Sequence, residues 1–214
     1  PAIDRKRLME NIAASYTATY NDTKILIDMA AYAACNPDTH NKITDETKQN
    51  YINFVMTEAG KESPGEKTFA LGTIGLQSIG VDPRVIYPVN SNTAVDFIEK
   101  LNSSKHSNSA WSAPYTLAAY NQGNYNTDAI EQAIIEEILK GQHESGCWNE
   151  FGESIQATAN MITGLSFYYG TNAGAKAAID KAVAYLSEQQ KNDGTFDAYG
   201  SGSDADSCAN VVMA

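Results

Sequence analysis

Two carboxylates, groups that can act as acids or bases, open the last predicted helix in the segment Asp204-Ala205-Asp206-Ser207. A carboxylic acid that donates a proton must stay protonated until it reacts, which requires burial and hydrogen bonds from a neighbouring acid. The same residues suit a helix start, because Ser203 or Asp204 can cap the first turn and Asp206 lies where the helix dipole favours a negative charge. General acid and helix cap are therefore alternative roles for this segment.

Thiols and imidazoles are few and widely spaced in this chain. They are Cys35, Cys147, Cys208, His40, His106 and His143. An odd number of cysteines without a Cys-x-x-Cys pair indicates no disulfide framework. His143 and Cys147 share one predicted turn, but two ligands do not make a zinc site. The sequence therefore predicts no bound metal and no resident cofactor.

Apolar residues recur at helical spacing almost throughout the chain, and period-two alternation is nearly absent. In residues 126–141, for example, four isoleucines form one stripe opposite three glutamates. The fold class predicted is all-α. The predicted helices cover residues 4–20, 24–35, 45–59, 66–79, 92–103, 112–122, 126–141, 153–169, 174–190 and from about 204 onward.

Two kinds of helix alternate along the chain. Helices with a charged face, such as 126–141, alternate with helices nearly free of charge after their first turn, such as 153–169. A helix that is apolar on all sides is usually buried on all sides, so the alternation predicts an outer and an inner layer of antiparallel hairpins. The inner helices begin about 40 to 50 residues apart, a period typical of helical-hairpin arrays.

A turn motif recurs after two of the outer helices. Its members are Gln142, Gly146 and Trp148 in one copy and Gln190, Gly194 and Phe196 in the next, with Trp111 ending a degenerate third copy. Glycine permits the sharp turn, the aromatic ring fills space between hairpins, and glutamine can bind freed backbone groups at the helix end. An aromatic residue at every turn favours packing over ligand stacking.

The strings ILKGQHESGCW (138–148) and LSEQQKNDGTF (186–196) resemble the glutamine–tryptophan repeat of terpenoid cyclases and protein prenyltransferases. EKTFALGTIGLQSIGVDP (66–83) is similar to a unit of bacterial surface proteins that resemble the cobalamin carriers intrinsic factor and transcobalamin. The resemblance implies an (α/α)6 toroid, also called an alpha-alpha barrel. Residues 1–214 are then expected to form one incomplete toroid domain of about five hairpins, truncated in its fifth inner helix, with no second domain.

A ligand site is expected at one rim of the toroid, where the inner helices begin, because helix N-termini suit polar or anionic groups. The first-turn side chains expected to bind there are Tyr115, Glu153, Gln156, Asp204 and Asp206. In the cobalamin carriers, polar side chains on such a rim bind the corrin amides. The resemblance therefore implies a non-catalytic domain that binds a small-molecule or protein ligand, with a corrinoid as one candidate.

Other functions stay open beside this one. Class II terpene cyclases use Asp-x-Asp-Asp, and Asp206 would be the acid of such an enzyme, although Ser207 replaces the last aspartate. A structural adhesion module that presents its acidic outer face to partners is a further alternative. The string SGCW (145–148) is similar to the zinc-ligand stretch Asp-Gly-Cys-Tyr of prenyltransferases, but Ser145 stands where the aspartate ligand belongs, which argues against zinc here.

Charge and composition limit the partners and the location. The chain has 26 acidic and 15 basic residues and a net charge of −11, so its surface repels phosphates and nucleic acid is excluded as a partner. A hydrophobic fraction of 43% excludes intrinsic disorder. No apolar run approaches the roughly 20 residues of a membrane span, so no membrane insertion is expected. The family resemblance implies a secreted or cell-surface location.

Overall fold

The structure is a computed structural model. It describes residues 23–35, 43–88, 92–150, 152–197 and 202–214, together with Arg7, Glu10, Asn11, Ala14 and Ser15. This part of the chain is mostly helical with almost no strand, which confirms the all-α prediction. In the described ranges, no helix combines the length and the apolar character that a membrane crossing needs.

The helices group into two compact units, Pro1–Ser103 and Ser104–Ala214. The described helices of the first unit are α1 (Thr23–Cys35), α2 (Asp45–Ala59), α3 (Glu66–Ser78) and α4 (Phe97–Asn102). Those of the second unit are α5 (Ala113–Asn121), α6 (Asp128–Lys140), α7 (Ile155–Leu165), α8 (Ala173–Gln189) and α9 (Ala205–Met213). The second unit also contains strands β1 (Trp148–Asn149) and β2 (Glu153–Ser154) and a 3₁₀ turn, Ser166–Tyr168.

Helix α3 is the centre of the first unit and packs against α1, α2 and α4. Its small residues explain how it can do so. A Cβ atom on Gly75 would lie 1.9 Å from the Tyr51 hydroxyl oxygen, and one on Gly72 would lie 2.7 Å from the Phe97 ring. Tyr51 in turn hydrogen-bonds Thr23 at 2.8 Å. The two glycines therefore let the aromatic side chains of α2 and α4 reach the α3 backbone.

In the second unit the helices form two rows. Helix α7 packs between α5 and α9 in one row, and α6 packs against α8 in the other. The rows are joined because α5 packs on α6 and α7 packs on α8. Nearly every residue of α7 is buried, whereas α6 buries only the stripe that contains Ile134, Ile135 and Ile138. An apolar helix in one row and an amphipathic helix in the other is what the alternating sequence pattern predicts for this unit.

Several predicted helix boundaries are wrong. The helix predicted over 92–103 begins only at Phe97, because Val95 pairs with Ile86 and the Asp96 side chain caps the helix. The helix predicted from 153 begins at Ile155, after a short strand. The predicted helix 4–20 lies largely outside the described residues.

Two of the helices that the alternation assigns to the inner layer, 24–35 and the one from about 204 onward, are not buried on all sides. Helix α9 buries only Ser207 and leaves Val212 86% exposed. Helix α1 buries residues along one stripe, including Leu26 and Met29, and exposes Asp28. An apolar helix is buried on all sides only where other helices pack around it, and α9 packs mainly on α7.

Candidate functional site

The loop after α6 is a tight turn, residues 142–148, called the first turn below. The side-chain amide of Gln142 donates hydrogen bonds to the backbone carbonyl of Gly146 at 2.9 Å and to that of Ala178 in α8 at 2.8 Å. Gly146 has a φ of 100°, a conformation that a residue with a Cβ rarely adopts. The glutamine and the glycine of the motif thus hold the turn against the neighbouring helix.

The loop after α8, residues 190–196, is built in the same way and is called the second turn. Gln190 donates to the carbonyl of Gly194 at 3.0 Å, and Gly194 has a φ of 84°. Both turns contain two further matching N–H···O=C bonds of 2.8–3.0 Å. These are His143 to Cys147 and Gly146 to His143 in the first turn, and Lys191 to Thr195 and Gly194 to Lys191 in the second. The sequence repeat therefore corresponds to a repeat of backbone structure.

The aromatic residues that end the two turns are buried. Trp148 is 3% exposed and donates its ring N–H to the carbonyl of Ile138 at 2.8 Å, and Phe196 is 5% exposed. Trp111 is half-buried and donates its ring N–H to Glu150 at 2.6 Å instead. Trp148 and Phe196 therefore lie where packing residues belong, while Trp111 departs from the pattern as its degenerate motif does.

The first turn also brings together three potential metal ligands, His143, Cys147 and Glu153, which are called the HCE cluster below. One ligand atom from each lies within 4.8 Å of the others. Cys147 is buried, whereas His143 and Glu153 are exposed. Within the described ranges of the chain, these are the residues grouped closely enough to hold an ion.

The fold of the short hairpin brings Glu153 into this cluster. Strands β1 and β2 pair antiparallel, so that Trp148 lies opposite Ser154 and Asn149 lies opposite Glu153. Gly152, with a φ of 132°, allows the chain to reverse direction between them. The hairpin therefore places Glu153 beside the first turn, which precedes it in the sequence.

Polar neighbours surround the HCE cluster. The Ser145 hydroxyl oxygen lies 3.3 Å from the Cys147 sulfur, and the same hydroxyl donates to the Glu153 carboxylate at 2.8 Å. The Asn149 side-chain amide contacts His143 Nε2 at 2.6 Å, and its oxygen lies 3.9 Å from the Cys147 sulfur. A single network thus links all three members of the cluster.

Burial shapes the acid–base behaviour of this region. Burial raises the pKa of the Cys147 thiol, and the negative charge of Glu153 acts in the same direction, although the Ser145 hydroxyl opposes them. Burial in α8 also raises the pKa of Tyr185 to about 12, with the Cys147 and Glu153 charges adding to it. The Cys147 thiol therefore favours its protonated form.

The second turn holds different side chains at the positions of the HCE cluster. Lys191, Thr195 and Ser203 stand where His143, Cys147 and Glu153 stand in the first turn, and Asp193 stands where Ser145 does. The Thr195 and Ser203 hydroxyl oxygens are 2.6 Å apart, and Lys191 pairs with Asp197 at 3.2 Å. The same backbone therefore carries a hydroxyl pair and an ion pair in one copy and a set of potential metal ligands in the other.

A second polar group lies where α7 and α9 begin, and its residues Gln156, Asp204, Asp206 and Ser207 are called the QDDS cluster below. The Gln156 side-chain nitrogen lies 3.2 Å from Asp204, 3.4 Å from Asp206 and 3.2 Å from the Ser207 hydroxyl. Gln156 and Ser207 are buried, Asp204 is half-buried, and Asp206 is exposed. Three of the five residues predicted to bind a ligand are thus brought together.

Helix capping determines the state of Asp204. Its side chain caps α9 by accepting the backbone N–H groups of Asp206 and Ser207, as Ser154 caps α7 at the equivalent position. The Ser207 hydroxyl also donates to Asp204. These bonds from Ser207, followed by the weaker contributions of Asp206 and Gln156, lower the pKa of Asp204 below its usual range. The Asp204 carboxyl group is therefore ionised and caps the helix, and it does not hold a proton ready for donation.

The remaining two predicted ligand-binding residues lie elsewhere. Glu153 faces the first turn and belongs to the HCE cluster. Tyr115 is half-buried near the N-terminus of α5, the helix that packs beside α7. The one sequence feature that could have pointed to the HCE cluster is the glycine at 152, which marks a reversal of the chain between Cys147 and Glu153.

The comparisons with known proteins give no relative for this chain. No protein-family model, no curated protein and no solved structure matches it. The features of the chain that bear on its function are the two clusters and the turn motifs.

Proposed function

We propose that this chain is a non-catalytic binding domain, built as an (α/α) toroid of helical hairpins, whose ligand or partner docks where α7 and α9 begin. The toroid is supported by the two rows of helices in the second unit and by the repeated turn structure. The docking position is supported by the QDDS cluster, which presents carboxylate oxygens of Asp204 and Asp206 toward the surface.

The surroundings of both aspartates, Asp204 and Asp206, favour binding over catalysis. Ser207 occupies the position of the last aspartate in the cyclase motif, and it donates hydrogen bonds that stabilise the anion. A general acid needs the opposite environment, in which burial and a neighbouring acid keep the proton on the carboxyl group. Asp206 is exposed at the N-terminus of α9, so no apolar pocket surrounds its carboxyl group.

Ionised carboxylates at the surface bind groups that donate hydrogen bonds. The ligand class that suits the QDDS cluster is a molecule whose edge carries amide N–H groups, to which the corrinoids belong. The Gln156 side chain holds the carboxylates in place, because its amide nitrogen is shared among three acceptors. A secreted or cell-surface location is part of the same proposal, and the acidic net charge suits it.

Titration with cobinamide and with cyanocobalamin tests the proposal, followed by isothermal calorimetry and by the corrin absorption spectrum. We expect binding by the wild-type chain and a loss of roughly 10- to 100-fold in affinity for Asp206→Ala, because a hydrogen bond to a charged group contributes about 1.5–3 kcal/mol. Asp193→Ala removes an exposed carboxylate outside the QDDS cluster and serves as the control.

Absence of heat and of a spectral change with both compounds would remove the corrinoid version of the proposal. Equal affinity of the Asp206→Ala and Asp193→Ala variants would remove the docking position. Cyclisation of a polyprenyl substrate by the wild-type chain, lost in Asp206→Asn, would instead establish the terpene cyclase alternative.

A further inference from the structure

We infer that the HCE cluster is a binding site for a divalent ion of the zinc class, held by three protein ligands with a fourth position open to water. The inference goes beyond the proposed binding function and does not depend on it, because the two clusters share no residue. It also departs from the sequence-based expectation of no metal, which counted His143 and Cys147 as the only candidate ligands.

The types of ligand in the cluster select the class of ion. Thiolate, imidazole and carboxylate are the three groups that bind zinc in proteins, and a soft thiolate disfavours magnesium and calcium. Three protein ligands with an open fourth position are typical of zinc sites that also bind water or a small ligand. Cys147, His143 and Glu153 supply one ligand of each type.

The geometry requires only a small closure around the ion. Zinc–ligand bonds of about 2.0–2.3 Å place the ligand atoms of a tetrahedral site roughly 3.3–3.8 Å apart. The three ligand atoms of the cluster lie within 4.8 Å of one another, so no pair needs to approach by more than roughly 1–1.5 Å. The exposed side chains of His143 and Glu153 can make this small movement, whereas the buried Cys147 provides the fixed point.

Neighbouring side chains already hold the ligands in place. Ser145 bridges the Cys147 sulfur and the Glu153 carboxylate, and Asn149 contacts the His143 ring. Hydrogen bonds from outer groups of this kind orient metal ligands and commonly alter metal affinity about 10- to 100-fold. The cluster therefore has both the ligands and the groups that position them.

The second turn shows that the turn does not need these ligands in order to form. Its backbone hydrogen bonds match those of the first turn, yet Lys191, Thr195 and Ser203 replace the three members of the cluster. A lysine and two hydroxyl groups do not hold zinc. Folding of the turn thus gives no reason for a histidine, a cysteine and a glutamate to meet in the first copy.

Cobalt titration tests the inference, since Co²⁺ occupies zinc sites and reports its ligands by absorption. The full chain would carry Cys35→Ser and Cys208→Thr, so that Cys147 is the remaining thiol; threonine is chosen at 208 because Thr158 makes the equivalent contact in the preceding copy. We expect one Co²⁺ per reduced, chelator-treated chain, with a thiolate charge-transfer band and the intense visible bands of tetrahedral Co²⁺. Added Zn²⁺ should displace both signals.

The matched control replaces the cluster with the residues of the second turn, as His143→Lys, Cys147→Thr and Glu153→Ser together. We expect this variant to keep its circular dichroism spectrum and to lose the cobalt bands. The single variants His143→Lys and Glu153→Gln change exposed side chains and should fold normally. Each should lower the affinity for Zn²⁺ by more than about 10-fold, since changes to groups that only hydrogen-bond the ligands already have effects of that size.

Thermal unfolding gives a second readout, because an ion that binds only the folded chain raises its stability. Zn²⁺ should raise the Tm of the wild-type chain and leave that of the triple variant unchanged. A missing thiolate band would overturn the inference, and so would equal Zn²⁺ affinity in His143→Lys, Glu153→Gln and the parent chain.

Discussion

The side chain of Gln142 joins two structural elements, because one amide group donates both to the Gly146 carbonyl of its own turn and to the Ala178 carbonyl in α8. Gln190 is exposed, and among the described residues its side chain bonds only within its own turn. The same residue type in the same motif therefore makes a different number of hydrogen bonds in the two copies. The contribution of each glutamine should follow the number of bonds that its amide group makes.

Alanine substitution of each glutamine measures this difference. We expect Gln142→Ala to lower the free energy of unfolding by about 2 kcal/mol, since two hydrogen bonds of about 1 kcal/mol each are lost. Gln190→Ala should lower it by less than about 1 kcal/mol, because one exposed bond is lost. Urea unfolding followed by circular dichroism gives both values. Equal losses in the two variants would show that the bond to Ala178 adds no stability.

At the scale of elements, the two turns differ in how closely the neighbouring helix approaches. A Cβ atom on Gly146 would lie 2.5 Å from the backbone oxygen of Lys181 in α8. On Gly194 the nearest atom among the described residues would be Gln190 Nε2 at 4.0 Å. Both glycines have a positive φ, so both substitutions strain the backbone, but only one also pushes a helix away.

The pair Gly146→Ala and Gly194→Ala separates strain from packing. Gly194→Ala should lower the free energy of unfolding by about 1–2 kcal/mol through backbone strain alone. Gly146→Ala should lower it by about 3 kcal/mol or more, because the contact with α8 adds to that strain. Chemical denaturation of the two variants beside the wild-type chain gives the comparison. A smaller loss for Gly146→Ala than for Gly194→Ala would contradict the close packing of the first turn on α8.

Local signals made the helices predictable, and long-range pairing limited their accuracy. The helix predicted over 45–59 has the bounds of α2, because the Thr44 cap and its partner Thr47 are neighbours in sequence. The start of α4 was misplaced because Val95 pairs with Ile86, a choice that no short segment encodes. The exposure of α9 depends on which helices pack against it, and its own apolar sequence does not specify that.

The two clusters also differ in how far local sequence signals could predict them. The QDDS cluster could be foreseen in part, since Gln156 and Asp206 occupy equivalent positions in two aligned repeats and α7 packs on α9. The HCE cluster could not, because Glu153 reaches Cys147 through a two-stranded hairpin that an all-helical pattern does not predict. Ligand counting along the sequence therefore found two ligands where the fold assembles three.

At the scale of the whole molecule, buried groups that favour their neutral form limit stability at high pH. Burial raises the pKa of Tyr185 to about 12, and burial with a hydrogen bond to Glu131 raises the pKa of Tyr168 further. Burial also raises the pKa of Cys147. A group whose pKa is raised on folding contributes its full stability below the pKa of the unfolded chain, and that contribution is lost as the pH rises through the folded value.

The free energy of unfolding should therefore fall as the pH rises from about 9, where unfolded thiols ionise, through about 10, where unfolded tyrosines ionise, toward 12. Tyr185→Phe removes one of these groups and should flatten the fall above about pH 10. Tyr87→Phe changes an exposed ring and serves as the control. Urea unfolding at a series of pH values from 8 to 11 gives the curves. Parallel curves for the wild-type chain and Tyr185→Phe would rule out a contribution from this hydroxyl group.

The shared backbone of the two turns has a consequence for the side-chain chemistry that such a molecule can carry. Glutamine, glycine and the backbone hydrogen bonds hold each turn, so the side chains at positions 143, 147, 191 and 195 can differ without loss of the architecture. One copy carries an ion pair and the other a set of potential metal ligands on the same backbone structure. A repeated turn of this kind can carry different side-chain chemistry on one fold, because the groups that build it and the side chains that could bind a ligand are different ones.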